Sequence, residues 1–157
     1  MKHRMRKKNR GITMVEAMVA LVIISVGMLG IAGLYLASLQ AGRSANLRIQ
    51  AVNLATEMAD RIRANREGKT AYVLAAGTLP TAVNCATADC TPTQLAQSDQ
   101  NVWVKALRAA LPGSTAGGGS ILFTDNPDPQ PDQYQITVTW REAGSNTDAS
   151  YRLVMEL

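Results

Sequence analysis

The run from Ala17 to Gly42 contains no charged residue, and most of its positions are Ala, Val, Leu, Ile, Met or Gly. About 20 apolar residues cover the hydrocarbon core of a bilayer, at about 1.5 Å per residue. A globular domain of this size rarely needs an uncharged helix of that length. The run therefore predicts one membrane-spanning helix and leaves room for one modest domain.

Positive charge is concentrated before this run. Six of the 16 Lys and Arg residues lie within the first ten positions, namely Lys2, Arg4, Arg6, Lys7, Lys8 and Arg10. Because basic flanks stay cytoplasmic, the C-terminal bulk is expected on the opposite, export side. From Ile12 onward ten basic residues accompany twelve acidic ones, and this balance argues against a nucleic-acid-binding surface.

Two cysteines, Cys85 and Cys90, lie close together in a segment rich in Ala, Thr and Asp. A zinc site would need about four ligands, and the chain's single histidine, His3, belongs to the basic leader. The pair therefore favours a local disulfide over a metal site. A disulfide indicates an oxidising compartment such as the periplasm.

Glu16 stands at the entrance of the apolar run with only uncharged residues around it. A carboxylate at the centre of a membrane helix costs about 2.5 to 3.5 kcal/mol, and less toward the end. Cleavage after Gly11 would create an α-amino group at Ile12, which could compensate Glu16 within one chain or between neighbouring helices. The alternative is that Glu16 simply reaches the membrane surface as a first-turn acidic residue.

The segment from Gly11 to Glu16 resembles the signal of type IV prepilins, in which a prepilin peptidase cuts after the glycine and methylates the new N-terminus. The resemblance implies that Gly11 is the cleavage residue and Ile12 the methylated first residue of the mature protein. It also implies that Glu16 is the charge partner between subunits. Ile12 departs from the family pattern, since major pilins usually have Phe there.

Two further segments, Ser25–Leu34 and Met58–Arg66, resemble the PilV group of minor pilins. This resemblance implies an inner-membrane protein with a periplasmic domain that helps to prime type IV pilus assembly, in support of twitching motility and adhesion. The implied partners are the prepilin peptidase, other minor pilins, the major pilin and an adhesin-like tip protein. No cofactor or metal is implied.

The expected organisation is a cleaved leader (1–11), a transmembrane assembly helix (12–42) and a periplasmic pilin-like domain (43–157). The helix is predicted to continue to about Asn65, because apolar residues recur at steps of three or four, namely Leu47, Ala51, Leu54, Met58 and Ile62. The second half of the helix should therefore pack on the domain core.

Gly27, Gly30 and Gly33 lie inside the membrane run, where each glycine costs about 1 kcal/mol of helix propensity relative to Ala. Spaced by three, they form a narrow strip that lets another helix approach closely. The alternative is that they are ordinary membrane-helix glycines.

The residue pattern in the rest of the chain predicts one more helix and three strands. The helix is expected from about Asp99 to Leu111, with Ser98 as N-cap and an apolar face of Val102, Ala106, Leu107 and Ala110. Gly117 to Gly119 should form a turn. Strands are expected at 121–124, at 134–141 with Tyr134, Ile136, Val138 and Trp140 on one face, and around Tyr151, Leu153 and Met155. The predicted fold class is α+β, with the long pilin-like helix packed on a small antiparallel sheet.

Other classes of function are less well supported. The mature chain would have no histidine, and no Ser-x-x-Lys or Gly-x-Ser-x-Gly sequence occurs, so catalysis is not expected. The loop from Asp125 to Asp132 carries carboxylates that could bind calcium, but a stiff surface loop is favoured. Two alternatives stay open: a type II secretion pseudopilin, and an adhesin or DNA-uptake binding module.

Overall fold

The computed structural model describes residues 13–87, 89–113 and 118–157. The described elements are helix α1 (Met14–Ala64), a 3₁₀ segment (Arg66–Tyr72), helix α2 (Pro92–Ala110) and strands β1 (Gly119–Thr124), β2 (Gln133–Arg141) and β3 (Asp148–Glu156). The chain divides into two compact units, one ending at Gly42 and the other running from Arg43 to Leu157. The predicted α+β class is confirmed.

The part of α1 before Arg43 has no buried side chain. Its large apolar residues are more than half exposed along the whole run, from Met14 to Leu39. By length and composition α1 can cross a membrane. The predicted start of the helix at Ile12 lies outside the described residues.

The part of α1 after Gly42 buries one side against the domain. Ala51, Met58 and Ile62 are fully buried, and Leu47 and Leu54 are partly buried, as the spacing predicts. Ala55 and Ala59 are also fully buried. These small residues widen the buried side and let other elements approach the helix backbone.

Helix α2 begins seven residues earlier than its predicted start at Asp99. Thr91 is the N-cap: its hydroxyl accepts a hydrogen bond from the Gln94 N–H, and the Gln94 side chain accepts one from the Thr91 N–H. This is a capping box, and Pro92 occupies the first helical turn, where its missing N–H costs nothing. Ser98 lies inside the helix, so its predicted role as N-cap is wrong.

The predicted apolar face of α2 is also partly wrong. Leu107 is buried, but Val102 is 48% exposed and Ala110 is exposed. The buried side instead contains Trp103 and Val104, together with three polar residues, Asp99, Gln100 and Asn101. Hydrogen-bonding partners from distant segments allow these polar side chains to be buried.

The three strands form one antiparallel sheet in the order β1-β2-β3. Tyr134, Ile136, Val138 and Trp140 all face the core, so the alternation predicted for β2 is confirmed. Strand β1 begins at Gly119 rather than at the predicted Ile121, and Gly119 is therefore part of the sheet and not of a turn. A Cβ on Gly119 would lie 2.5 Å from the Trp103 ring, so this glycine lets α2 pack closely against the sheet.

Candidate assembly interface

The first turn of α1 is capped by Thr13. The Thr13 hydroxyl accepts a hydrogen bond of 3.3 Å from the backbone N–H of Glu16, and the Thr13 carbonyl accepts one of 3.2 Å from Ala17. Thr13 and Glu16 thus have the spacing of a capping box, a signal that the sequence reasoning missed. Helix capping uses only the backbone of Glu16 here, so its carboxylate is available for another role.

The Glu16 side chain is exposed, and among the described residues no cation contacts its carboxylate. The helix N-terminus offers partial positive charge, which favours a carboxylate in the first turn. Gly11 and Ile12, the predicted cleavage and methylation positions, lie outside the described residues. Their roles therefore stay predictions.

The three glycines of the membrane run have open surroundings. A Cβ built on Gly27, Gly30 or Gly33 would meet no atom within 4 Å outside the local helix backbone. Packing within the described chain therefore does not require glycine at these positions. The use predicted for them, close approach of another helix, stays a prediction.

Cys85 and Cys90 form a disulfide, so the predicted bond is confirmed. Cys90 immediately precedes Thr91, the N-cap of α2. Nearby, the Asn101 side chain donates a hydrogen bond of 2.7 Å to the carbonyl of Pro80. The hydrogen bond fixes the middle of the connection between the 3₁₀ segment and α2, and the disulfide fixes its last part.

A polar cluster that the sequence reasoning missed links α1, the 3₁₀ segment and α2. Arg61 donates to Oδ1 of Asp99 at 2.8 Å and also pairs with Glu57 at 2.7 Å. The hydroxyl of Tyr72 donates to Oδ2 of Asp99 at 2.7 Å, and the Asn65 side chain donates to the Tyr72 hydroxyl and to the Pro92 carbonyl. The Glu57–Arg61 pair has the i,i+4 spacing that stabilises a helix, whereas the contacts of Asp99 join residues far apart in the sequence.

The cluster changes the proton affinity of two of its members. Burial raises the pKa of the Tyr72 hydroxyl well above its ordinary value of 10.0, and the hydrogen bond to Asp99 raises it further. The hydrogen bond with Glu57 raises the pKa of Arg61, partial burial opposes this effect, and Asp99 raises the pKa again. At neutral pH Tyr72 is therefore a protonated phenol and Arg61 a charged guanidinium, and both donate hydrogen bonds to Asp99.

The loop from Asp125 to Asp132 is held by polar contacts within it and by one contact with Lys69 of the 3₁₀ segment. The Asn126 side chain donates to the Pro131 carbonyl at 2.7 Å, and Lys69 pairs with Asp132 at 3.4 Å. Within the described ranges no group of three or more His, Cys, Asp or Glu side chains could hold a metal ion. The structure therefore gives the calcium alternative no support.

Comparison with known families found two adjacent matches. The prokaryotic N-terminal methylation motif matches residues 6–32, and the family described as Type IV pilin Tt1218 matches residues 33–101. Searches of curated proteins and of solved structures found no match.

In its fold and in these two matched segments the chain is similar to type IV pilins. The chain carries a prepilin N-methylation motif, directly followed by a segment that matches a type IV pilin family. Such a motif implies processing by a prepilin peptidase and assembly with other pilins at a membrane. The apolar first half of α1 fits the same role, because it is long enough to anchor the chain in the inner membrane.

Proposed function

We propose that this protein is a minor pilin of the PilV group that helps to prime assembly of a type IV pilus. The observation that carries the proposal is the Glu16 carboxylate, in the first turn of an exposed, uncharged helix, without a cationic partner among the described residues. In hydrocarbon such a group needs a positive partner. The α-amino group of a neighbouring subunit, cut after Gly11 and methylated at Ile12, supplies one.

The proposed site works by matching charges between neighbouring helices. In the membrane, the carboxylate of one subunit meets the terminal ammonium of the next and fixes the axial register of the two helices. The two helix backbones can then approach closely at Gly27, Gly30 and Gly33, because glycine has no side chain to keep them apart. The role is structural, with no substrate and no cofactor.

The domain, residues 43–157, is proposed to lie in the periplasm before assembly and near the pilus tip afterwards. The disulfide supports an oxidising compartment. Twitching motility and adhesion would follow from pilus priming. Other minor pilins, the major pilin and an adhesin-like tip protein are the proposed partners.

Incorporation into pili tests the charge partner directly. Glu16→Gln keeps the size of the side chain but removes its charge, and Glu16→Asp keeps the charge on a shorter side chain. We expect both variants to insert into the inner membrane at the normal level, with Glu16→Gln largely missing from sheared pili and Glu16→Asp partly retained. Equal amounts of wild type and Glu16→Gln in the pili would refute the charge pairing.

Deletion of the gene separates the proposal from the pseudopilin alternative. A minor pilin of this kind is required for surface pili and twitching, whereas a pseudopilin is required for type II secretion. We expect loss of pili with secretion unchanged. Loss of secretion with normal pili would assign the chain to the secretion system.

A further inference from the structure

Strand β3 has a hydrogen-bonded neighbour on one side only. Within the described residues the sheet ends at β3, since the strand order is β1-β2-β3. The opposite edge of the sheet is partly covered, because Leu74 and Ile121 exchange two backbone hydrogen bonds of 2.9 Å. The two edges therefore differ, and β3 provides the open one.

The register of the sheet shows which groups of β3 point away from it. The N–H of Leu157 donates to the carbonyl of Asp132 at 2.9 Å, so Leu157 and the residues at alternate positions before it face β2. Residues at the other positions direct both N–H and C=O outward, namely Ser150, Arg152, Val154 and Glu156. No backbone hydrogen bond to these outward groups occurs among the described residues.

The side chains along this edge are suited to an added strand. On the core side, Tyr151 and Leu153 are only partly buried, so the apolar layer is incomplete beside the edge. On the other side, Val154 is 47% exposed and lies between Arg152 and Glu156. These two charged residues form no ion pair within the described part of the chain.

Two of the devices that discourage pairing, short length and proline, are missing from this strand. Natural edge strands are often short, or carry proline or charged side chains, above all lysine, which discourage a further strand. Strand β3 has nine residues and contains neither proline nor lysine. Arg152 and Glu156, which form no ion pair among the described residues, admit a partner strand with complementary charges and disfavour one without them.

We propose that the open edge of β3 binds an extended segment of another protein by antiparallel strand addition. From its N-terminus, the segment places a basic residue opposite Glu156, a β-branched residue opposite Val154 and an acidic residue opposite Arg152. Apolar residues at the intervening positions cover Leu153 and Tyr151. Backbone hydrogen bonds supply affinity, and the two ion pairs set register and direction.

The test uses the full chain in detergent micelles and a synthetic peptide, acetyl-Lys-Leu-Thr-Val-Glu-Leu-amide. Backbone amide exchange is followed residue by residue with NMR. We expect the peptide to slow exchange at Arg152, Val154 and Glu156, whereas Leu153 and Met155, which already face β2, change little. A control peptide with Lys and Glu interchanged should bind about tenfold more weakly.

A charge exchange in the protein sharpens this comparison. The double variant Arg152→Glu with Glu156→Lys should reverse the preference and bind the control peptide more tightly. Absence of protection, or equal binding of both peptides by the wild type, would overturn the proposal. Protection of the same amides without peptide, together with the mass of a dimer, would also overturn it, because a second copy would then occupy the edge.

A backbone variant tests the hydrogen bonds themselves. Val154→Pro removes one outward N–H and leaves the bonds to β2 in place, while Val154→Ala keeps that N–H and shortens the side chain. We expect the proline variant to bind the peptide at least tenfold more weakly than the alanine variant, with the emission of the buried Trp103 and Trp140 unchanged in both. Equal affinity of the two variants would contradict strand addition.

Discussion

The hydroxyl of Tyr72 donates a hydrogen bond of 2.7 Å to Asp99, a residue 27 positions later on another helix. The same carboxylate accepts a hydrogen bond from Arg61 on α1. One buried acidic residue of α2 thus connects three separate segments of the domain.

Asp99→Asn should destabilise the domain by about 2 kcal/mol. The change keeps the shape of the side chain but removes the charge that Arg61 faces, and it weakens a hydrogen bond to a charged group. Arg61 keeps its exposed partner Glu57, which limits the loss. Denaturant unfolding of the full chain in detergent, followed by Trp103 fluorescence, measures the effect.

Glu57→Gln is the matched control for that measurement. Glu57 is about half exposed, so its ion pair with Arg61 should contribute less than about 0.5 kcal/mol. If Asp99→Asn and Glu57→Gln lowered the free energy of unfolding equally, the buried position of Asp99 would have no special effect on stability.

Alkaline pH should weaken the domain through Tyr72. Its pKa is raised in the folded state, so the folded protein holds the phenolic proton more tightly than the unfolded chain does. The resulting stabilisation is fully present below the unfolded pKa of about 10 and is lost as pH rises above it toward the folded pKa. The free energy of unfolding should therefore fall steadily above about pH 10.

Tyr72→Phe should remove the contribution of Tyr72 to the decrease in the free energy of unfolding with rising pH. Burial also raises the pKa of Tyr134, so part of the slope should persist in the single variant and decrease further when Tyr134→Phe is added. Identical slopes in wild type and Tyr72→Phe would contradict the assignment.

Gly119→Ala should cost about 1 to 3 kcal/mol, because the new Cβ would lie 2.5 Å from the Trp103 ring and 2.6 Å from a methyl group of Leu107. The next residue offers a control, since Ser120→Ala lies on the other face of β1 and should change stability by less than about 0.5 kcal/mol. Thermal unfolding of both variants gives the comparison. Similar melting temperatures of the two variants would show that α2 can move away from the sheet without a loss of stability.

Removal of the disulfide should destabilise the domain by about 2 kcal/mol, since the closed loop is short. The double variant Cys85→Ser with Cys90→Ser, measured without reductant, should unfold at the same denaturant concentration as the reduced wild type. Reductant should then have no further effect on the variant. A shift of the variant's transition by reductant would point to a different cause of the loss.

Local patterns were sufficient to predict much of the fold. The two-residue alternation of β2 identifies its buried face because one side of the strand packs on the core. The spacing of Met58 and Ile62 likewise identifies the buried side of α1. The disulfide was also predictable, since Cys85 and Cys90 are near each other in sequence and no set of zinc ligands accompanies them.

The start of α2 and the polar cluster were not predicted, for two different reasons. The predicted start at Asp99 leaves Pro92 outside the helix, although Thr91 and Gln94 carry the capping-box pattern that makes a proline favourable there. Asp99, Gln100 and Asn101 are polar, and their burial depends on partners far away in sequence. For example, Gln100 donates to the Ala71 carbonyl, 29 residues earlier.

The mass of the mature N-terminal peptide tests the central claim most directly. Protein purified from the membrane, or from sheared pili, should yield an N-terminal peptide that begins at Ile12, carries one added methyl group and continues into the apolar helix. A chain that still begins at Met1, or one that has lost the helix up to Gly42, would contradict the account.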